Sequence, residues 1–343
     1  MQKQTQIKKQ RHYTFDILRT IAAYAVIFVH VTAIAYTLYS KDSYQLFAVT
    51  MLNRTLKFTT PVFIFLGGVM VNIKHRNKPM NVPVFFTDRF KRILVPYIFF
   101  SLLYMLAHFV GLGDTYDLFD VLKKLALGTA KYHLYFIIII TQLYVLTPLA
   151  IKLKNTSYKP IILIITFIIN MLAVMYLVFP YSDRVFIKYL FPYLTGLLYG
   201  ADILSWFRHK WVNYLAIVTT LSLGAIYAMT FYFQTIGTKT YSLDFQILIW
   251  FFYTNLCIFG LMALVRQLEK NQKFVTFAMK TTGYSFFIYL IHPLVLDVSE
   301  KGLNTLGVQS VTLRFGINLM LTLLVSTFLA KWLKKWFSKY GFA

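Results

Sequence analysis

A succession of apolar runs, each about as long as a bilayer's hydrocarbon core is thick, constrains this chain more than any other feature. The runs fall near residues 14–38, 52–73, 91–112, 132–151, 160–179, 185–204, 211–233, 245–266, 282–299 and 311–334, with short polar connectors between them. The chain has 343 residues, 58% hydrophobic and 14% charged. Soluble domains carry roughly 45–50% and about 25%, so water alone cannot be the solvent for so much apolar surface. The expected fold is an all-α polytopic integral membrane protein of about ten transmembrane helices. No polar stretch is long enough to fold alone, so a single domain is expected over 1–343, with cytoplasmic tails at 1–13 and 335–343. The sixth run is short and interrupted by Pro192 and Gly196, which membrane helices tolerate better than soluble ones.

The net charge of +23 raises the question of nucleic acid. A nucleic-acid binder gathers Lys and Arg on one face of a soluble module, whereas here they sit in the connectors, so no nucleic-acid partner is expected. With the N-terminus inside and the spans alternating, about 23 Lys and Arg fall on inner segments and about 11 on outer ones, the asymmetry of the positive-inside rule. An odd number of spans would place Lys331, Lys334, Lys335 and Lys339 outside, against that rule. Both termini are therefore expected in the cytoplasm. The first run lacks a small-residue cleavage site and reads as a retained span. The single cysteine, Cys257, lies in an apolar run and reads as a small buried residue.

Charged or polar groups inside a bilayer are costly, which makes them functional candidates. In the first run Arg19 and His30 are eleven positions apart, which closes three helical turns with about 20° to spare and separates them by about 16 Å along one face. Asp16 stands one turn before Arg19 and can pair with it. Such a face suits a long anionic ligand with its charged end at Arg19 and its reactive end at His30. The plainer reading, that Arg19 snorkels to headgroups and His30 hydrogen-bonds within the bundle, stays open on spacing alone. Near the ninth run Ser285, Tyr289 and His292 follow i, i+4, i+7 spacing, and Pro293 frees the carbonyl of residue 289. A structural helix–helix seam would use the same pattern. Arg89, Lys91 and Arg92 form a basic cluster leading into the third run, either a topological anchor or a phosphate site. His133 opens the fourth run. No metal-ligand motif, glycine-rich phosphate loop or nucleophile elbow is present, and no metal is expected.

Taken in order, Phe15-Asp16 through His30, the segment from Phe90 to Tyr97, His133-Leu134-Tyr135-Phe136 and the segment from Tyr284 to Pro293 resemble the membrane acyltransferases of type 3. That family makes O-acyl, usually O-acetyl, modifications on bacterial surface polysaccharides and other acceptors, and ten spans is its usual count. The resemblance implies a bacterial cytoplasmic membrane, an acyl-CoA donor bound from the cytoplasmic side, a carbohydrate acceptor at the outer face and no tightly bound cofactor. It implies that His30 is the catalytic histidine and that Arg19, with Asp16 beside it, belongs to the same centre. Arg89, Lys91, Arg92, Tyr97, His133, Tyr135, Ser285, Tyr289 and His292 are then expected to bind acyl-CoA or acceptor. Tyr135 stands where the family commonly has Trp. The sequence stops at Ala343, so the esterase-like domain fused to some relatives is not expected.

Two other classes compete with an enzyme. One is an exporter of an exopolysaccharide such as poly-N-acetylglucosamine, and the other is an assembly subunit of polysaccharide synthesis machinery, alone or as a homodimer. A transporter spreads polar groups over several spans and commonly shows repeats. Here the polar groups concentrate on the first and ninth runs, which points to one reaction centre.

Overall fold

The structure, a computed structural model, describes residues 13–343, so the basic tail foreseen at 1–13 lies outside the described residues except for Tyr13. In chain order the α-helices are α1 (Tyr13–Leu38), α2 (Tyr44–Thr55), α3 (Thr59–Lys74), α4 (Val82–Arg89), α5 (Val95–Leu112), α6 (Leu118–Leu127) and α7 (Tyr135–Ala150). They continue as α8 (Lys159–Tyr176), α9 (Leu190–Tyr199), α10 (Lys210–Ile236), α11 (Leu243–Leu268), α12 (Gln272–Thr282), α13 (Ser285–Thr305) and α14 (Val311–Lys339). The polar connectors supply the stop signals. Ser43, Asn81, Asp117, Ser242, Asn271 and Ser310 each cap a following helix by accepting from a backbone N–H.

Among the described residues, eight spans are long and apolar enough to cross a bilayer, and nine if α12 and α13, which meet at 75°, count as one broken span. The tenth expected crossing, near 185–204, is not a single long helix. It is the ten-residue α9 between 3-10 segments at Phe186–Tyr189 and Gly200–Arg208. Before α9, the backbone at Arg184 and Phe186 is held by Gln142 in the middle of α7. After it, Asp202 pairs with Arg76, just beyond the end of α3, at 2.6 Å.

α9 is locked to α3. A Cβ on Gly68 would lie 2.2 Å from the Tyr193 carbonyl oxygen, and one on Gly196 would lie 2.2 Å from that of Phe65. Only glycine permits this approach of backbones. Asn72 finishes the contact, donating to the Leu197 carbonyl at 2.7 Å.

α1 runs through the middle of the bundle, against α2, α3, α11, α12, α13 and α14. Ile17, Leu18, Ala22 and Ile27 are wholly buried on it, so its polar residues meet other helices and cavities instead of lipid. Outer helices present bare apolar faces, such as Ile164 on α8 and Phe328 on α14, as a lipid-solvated bundle must. The end where α1 begins, here the near end, is tied by Thr14 donating to Glu269 and by Thr282 donating to the Asp16 carbonyl at 3.0 Å. At the far end Tyr39 meets Thr312 at 3.0 Å and Lys131 pairs with Asp297 at 2.5 Å. The segment expected as a tail from 335 continues α14 through Lys339, with Phe337 buried. Cys257 is fully buried, as the sequence suggested.

Candidate active site: two cavities back to back

The near-end cavity has a volume of about 400 Å³, and Arg19, Arg89, Arg92 and Lys334 line it. No Asp or Glu among the described residues lines it. Local sequence explains two of these positions. Pro96 has no N–H to give the carbonyl of Arg92, and the helix widens into a π-turn over Phe90–Leu94 in which Val95 donates to Phe90 instead. Wide turns of this kind gather at functional sites. Here the turn and the end of α4 bring Arg89 and Arg92 to one cavity. The Arg89 guanidinium lies 4.5 Å from the Tyr144 ring centre, and its Nε is buried without a hydrogen-bond partner among the described residues. Such a cluster is built for an anion with several oxygens.

The far cavity measures about 210 Å³ and is lined by His30, Lys57, Thr60, His133 and Tyr135, among others. His30 stacks on His292 with ring centres 5.2 Å apart and lies 4.6 Å from the Tyr132 ring. His133 lies 5.5 Å from His292 and 5.1 Å from Tyr289. Three helical or loop segments thus contribute three histidines to one spot. Pro293 fixes the chemistry of one of them. It frees the Tyr289 carbonyl, and the Nδ1 of His292 takes that carbonyl at 2.9 Å together with that of Ile288 at 3.1 Å. Both partners are acceptors, so Nδ1 carries the proton and Nε2 presents its lone pair to the cluster. That Nε2, like both ring nitrogens of His133, is buried and has no hydrogen-bond partner among the described residues.

Phe136 and Tyr289 line both cavities. They form the partition between the cationic chamber and the histidine chamber, and the Tyr289 hydroxyl holds its place by donating to the His133 carbonyl. The eleven-residue spacing on α1 therefore places Arg19 on one side of the partition and His30 on the other.

The structure distributes the expected residues unevenly. Arg19, Arg89, Arg92 and Ser285 line the near cavity, His30, His133 and Tyr135 the far one, and Tyr289 both. His292 packs on the two other histidines. Asp16 lies one turn below Arg19 and exerts its field on it. Lys91 and Tyr97 line neither cavity. Lys91 is exposed on the π-turn, and Tyr97 is buried with its hydroxyl donating to the Leu125 carbonyl at 2.6 Å. Tyr135 meets Thr60 at 3.0 Å.

Two cations escaped the sequence reading. Lys57 sits at the break between α2 and α3, where Pro61 cannot donate to its carbonyl. A lysine within an apolar run was the available signal. Lys334 was read as topology alone, although it lies among the last turns of α14.

Comparison with known proteins follows the same lines. The sequence profile of the acyltransferase 3 family, described as "Acyltransferase domain", matches residues 12–331. A "Probable poly-beta-1,6-N-acetyl-D-glucosamine export protein" of Staphylococcus aureus (strain MRSA252) is 24% identical over 258 residues, covering 70% of this chain and 69% of that protein. A protein of the same name from Staphylococcus epidermidis is 25% identical over 265 residues, covering 70% and 68%. No solved structure matches. The family profile spans nearly the whole described fold, and the chain belongs to the acyltransferase 3 family.

Proposed function

We propose that this protein is an acyl-CoA-dependent O-acyltransferase, with acetyl as the group transferred, acting on a cell-surface or exported polysaccharide across a bacterial cytoplasmic membrane. The reading rests above all on the partition. A cavity lined by Arg19, Arg89, Arg92 and Lys334 backs onto one lined by His30, with Phe136 and Tyr289 between them. The positive-inside rule puts the near end in the cytoplasm, where acyl-CoA is made.

In this scheme the CoA phosphates sit among the four cations, and the pantetheine arm passes the partition to bring the thioester carbonyl beside His30. A hydroxyl of the glycan enters from the far side. His30 Nε2 or Nδ1 accepts the hydroxyl proton as the oxygen attacks the thioester carbon. The tetrahedral oxyanion is stabilised by the Lys57 ammonium. The C–S bond then breaks, the ester leaves on the glycan, and the CoA thiolate takes the proton back from His30. No cofactor beyond the donor is needed, because the thioester is already activated. Polysaccharide synthesis machinery or a second copy of the chain are the proposed protein partners.

Export is the second reading, favoured by the printed names of the staphylococcal relatives. Against it stands the two-ring partition, which suits handing over a small group better than passing a polymer. The two readings separate when membranes containing the protein are given radiolabelled acetyl-CoA and the glycan is analysed for alkali-labile label. Label that depends on the protein supports transfer. Polymer export that depends on the protein, with no ester formed, supports export and sinks transfer.

A further inference from the structure

The far cavity has an outward neighbour. A third cavity of about 350 Å³ is bounded by the far-end half of α11 (Leu243, Gln246, Trp250), by Tyr227 and Phe231 of α10, and by Asp183, Lys188 and Tyr189. Tyr189 and Trp250 line this space and also the cavity that holds His30. They repeat, one step farther along, the arrangement of Phe136 and Tyr289.

The lining chemistry is specific. Tyr189, Tyr227, Phe231 and Trp250 give aromatic faces, whose π clouds attract the polarised C–H bonds on the flat face of a pyranose ring. Asp183, Lys188 and Gln246 give acceptors and donors around them for ring hydroxyls and amides. The mouth is open: the Asp183 side chain is 59% exposed, and it is held by Arg184 at 3.7 Å. Lys188 donates to Ser182 at 3.2 Å, and Gln246 to the Tyr241 carbonyl at 3.1 Å, so the polar groups are positioned before any ligand arrives. A lipid tail would need no such polar ring, and a nucleotide would need more positive charge than one lysine facing one aspartate supplies. At about 350 Å³ the space is in the lower part of the range for small-ligand sites, roughly 300–1,000 Å³.

We infer that this far-end vestibule is the acceptor subsite, in which sugar rings of a glycan stack on Trp250 and Tyr189 and present one hydroxyl through the gap between them toward His30. The inference rests on the transferase reading. It adds where the acceptor docks and which residues set its specificity. The vestibule holds the ring by its faces, and Gln246 and Asp183 read the substituents at its edge.

The test uses the full-length protein in nanodiscs with short oligomers of β-1,6-linked N-acetylglucosamine, and with glucose oligomers for contrast. Two readouts are taken: the change in tryptophan fluorescence on adding oligomer, and the KM values for oligomer and acetyl-CoA in the transfer assay. Trp250→Ala is expected to raise the oligomer KM about tenfold with the acetyl-CoA KM unchanged. Gln246→Ala is expected to raise the oligomer KM by less and to narrow the difference between amino-sugar and glucose oligomers. Trp250→Phe, which keeps a ring and the packing, is expected to restore most transfer while removing the fluorescence response. If the wild type transfers acyl groups and both alanine variants leave the oligomer KM unchanged, the vestibule assignment is overturned and the transferase reading survives. If oligomers give a Trp250-dependent fluorescence change but no ester forms, the vestibule binds glycan without being an acceptor subsite, and the assignment falls together with the transferase reading. If the wild type neither responds nor transfers, both fall.

Discussion

The hydroxyl of Tyr289 donates to the backbone carbonyl of His133, which ties α13 to the loop before α7 at the wall between two cavities. One side chain thereby lines the near cavity, lines the far cavity and packs against His133 of the histidine cluster. The consequences of that arrangement can be measured.

Tyr289→Phe keeps the ring and leaves the His133 carbonyl with only the Phe136 N–H, at 3.4 Å. It is expected to lower stability by about 0.5–1.5 kcal/mol while preserving the partition. Tyr289→Ala removes one of the two rings of the wall and leaves Phe136 alone. Water from the far side should then reach the thioester, so hydrolysis of acetyl-CoA without acceptor is expected to rise several-fold as transfer to glycan falls. Unchanged hydrolysis in the alanine variant would show that Tyr289 is not a barrier.

The cationic chamber separates neighbouring residues of the same motif. Arg89→Ala and Arg92→Ala each remove a charged donor from the near cavity and are expected to raise the acyl-CoA KM about tenfold or more. Lys91→Ala lies between them in sequence but outside both cavities and is expected to leave that KM nearly unchanged. The effect should weaken as salt is added. Equal losses at 89, 91 and 92 would mean that the cluster acts only through topology.

Lys57 lines the far cavity with His30, with no acidic partner within 4 Å among the described residues. Lys57→Met is expected to lower kcat by about a hundredfold, the magnitude seen when an oxyanion donor is lost, with the acyl-CoA KM little changed. A rise in KM with kcat intact would assign Lys57 to binding instead.

The contact of α3 with α9 depends on two missing side chains. Gly196→Ala places a Cβ 2.2 Å from the Phe65 carbonyl oxygen, and the helices must part at a cost of about 1–3 kcal/mol or more. Gly302→Ala on α13 meets nothing within 4 Å and is expected to be neutral or stabilising by up to about 1 kcal/mol. Thermal unfolding in detergent compares the two directly. Equal melting temperatures would remove α9 from its place as a keystone.

Much of this molecule is legible in one dimension, for identifiable reasons. Run length and charge placement report on lipid and on side, so the long helices could be read from composition. The spacing of Arg19 and His30 survives translation because both lie on one continuous helix, α1. Pro293 was legible as a freed carbonyl, but not that the ring of His292 would occupy it. The crossing near 185–204 was less legible, because two glycines pay off only when α3 supplies the facing backbone. Lys57 was overlooked inside an apolar run that breaks at Pro61. Tyr97 belongs to a recognisable motif, yet the sequence could not show that its hydroxyl meets the Leu125 carbonyl. In each case the deciding partner comes from a distant part of the chain, which no local pattern reveals.

His30 is proposed to perform proton transfer at the far side of a wall that acyl-CoA reaches from the near side. Membranes carrying wild type or His30→Ala, given radiolabelled acetyl-CoA and the acceptor glycan, test it most directly. Glycan ester label is expected with wild type and a loss of about a hundredfold or more with His30→Ala, while the variant binds acyl-CoA as wild type does. Transfer by His30→Ala at the wild-type rate would contradict it.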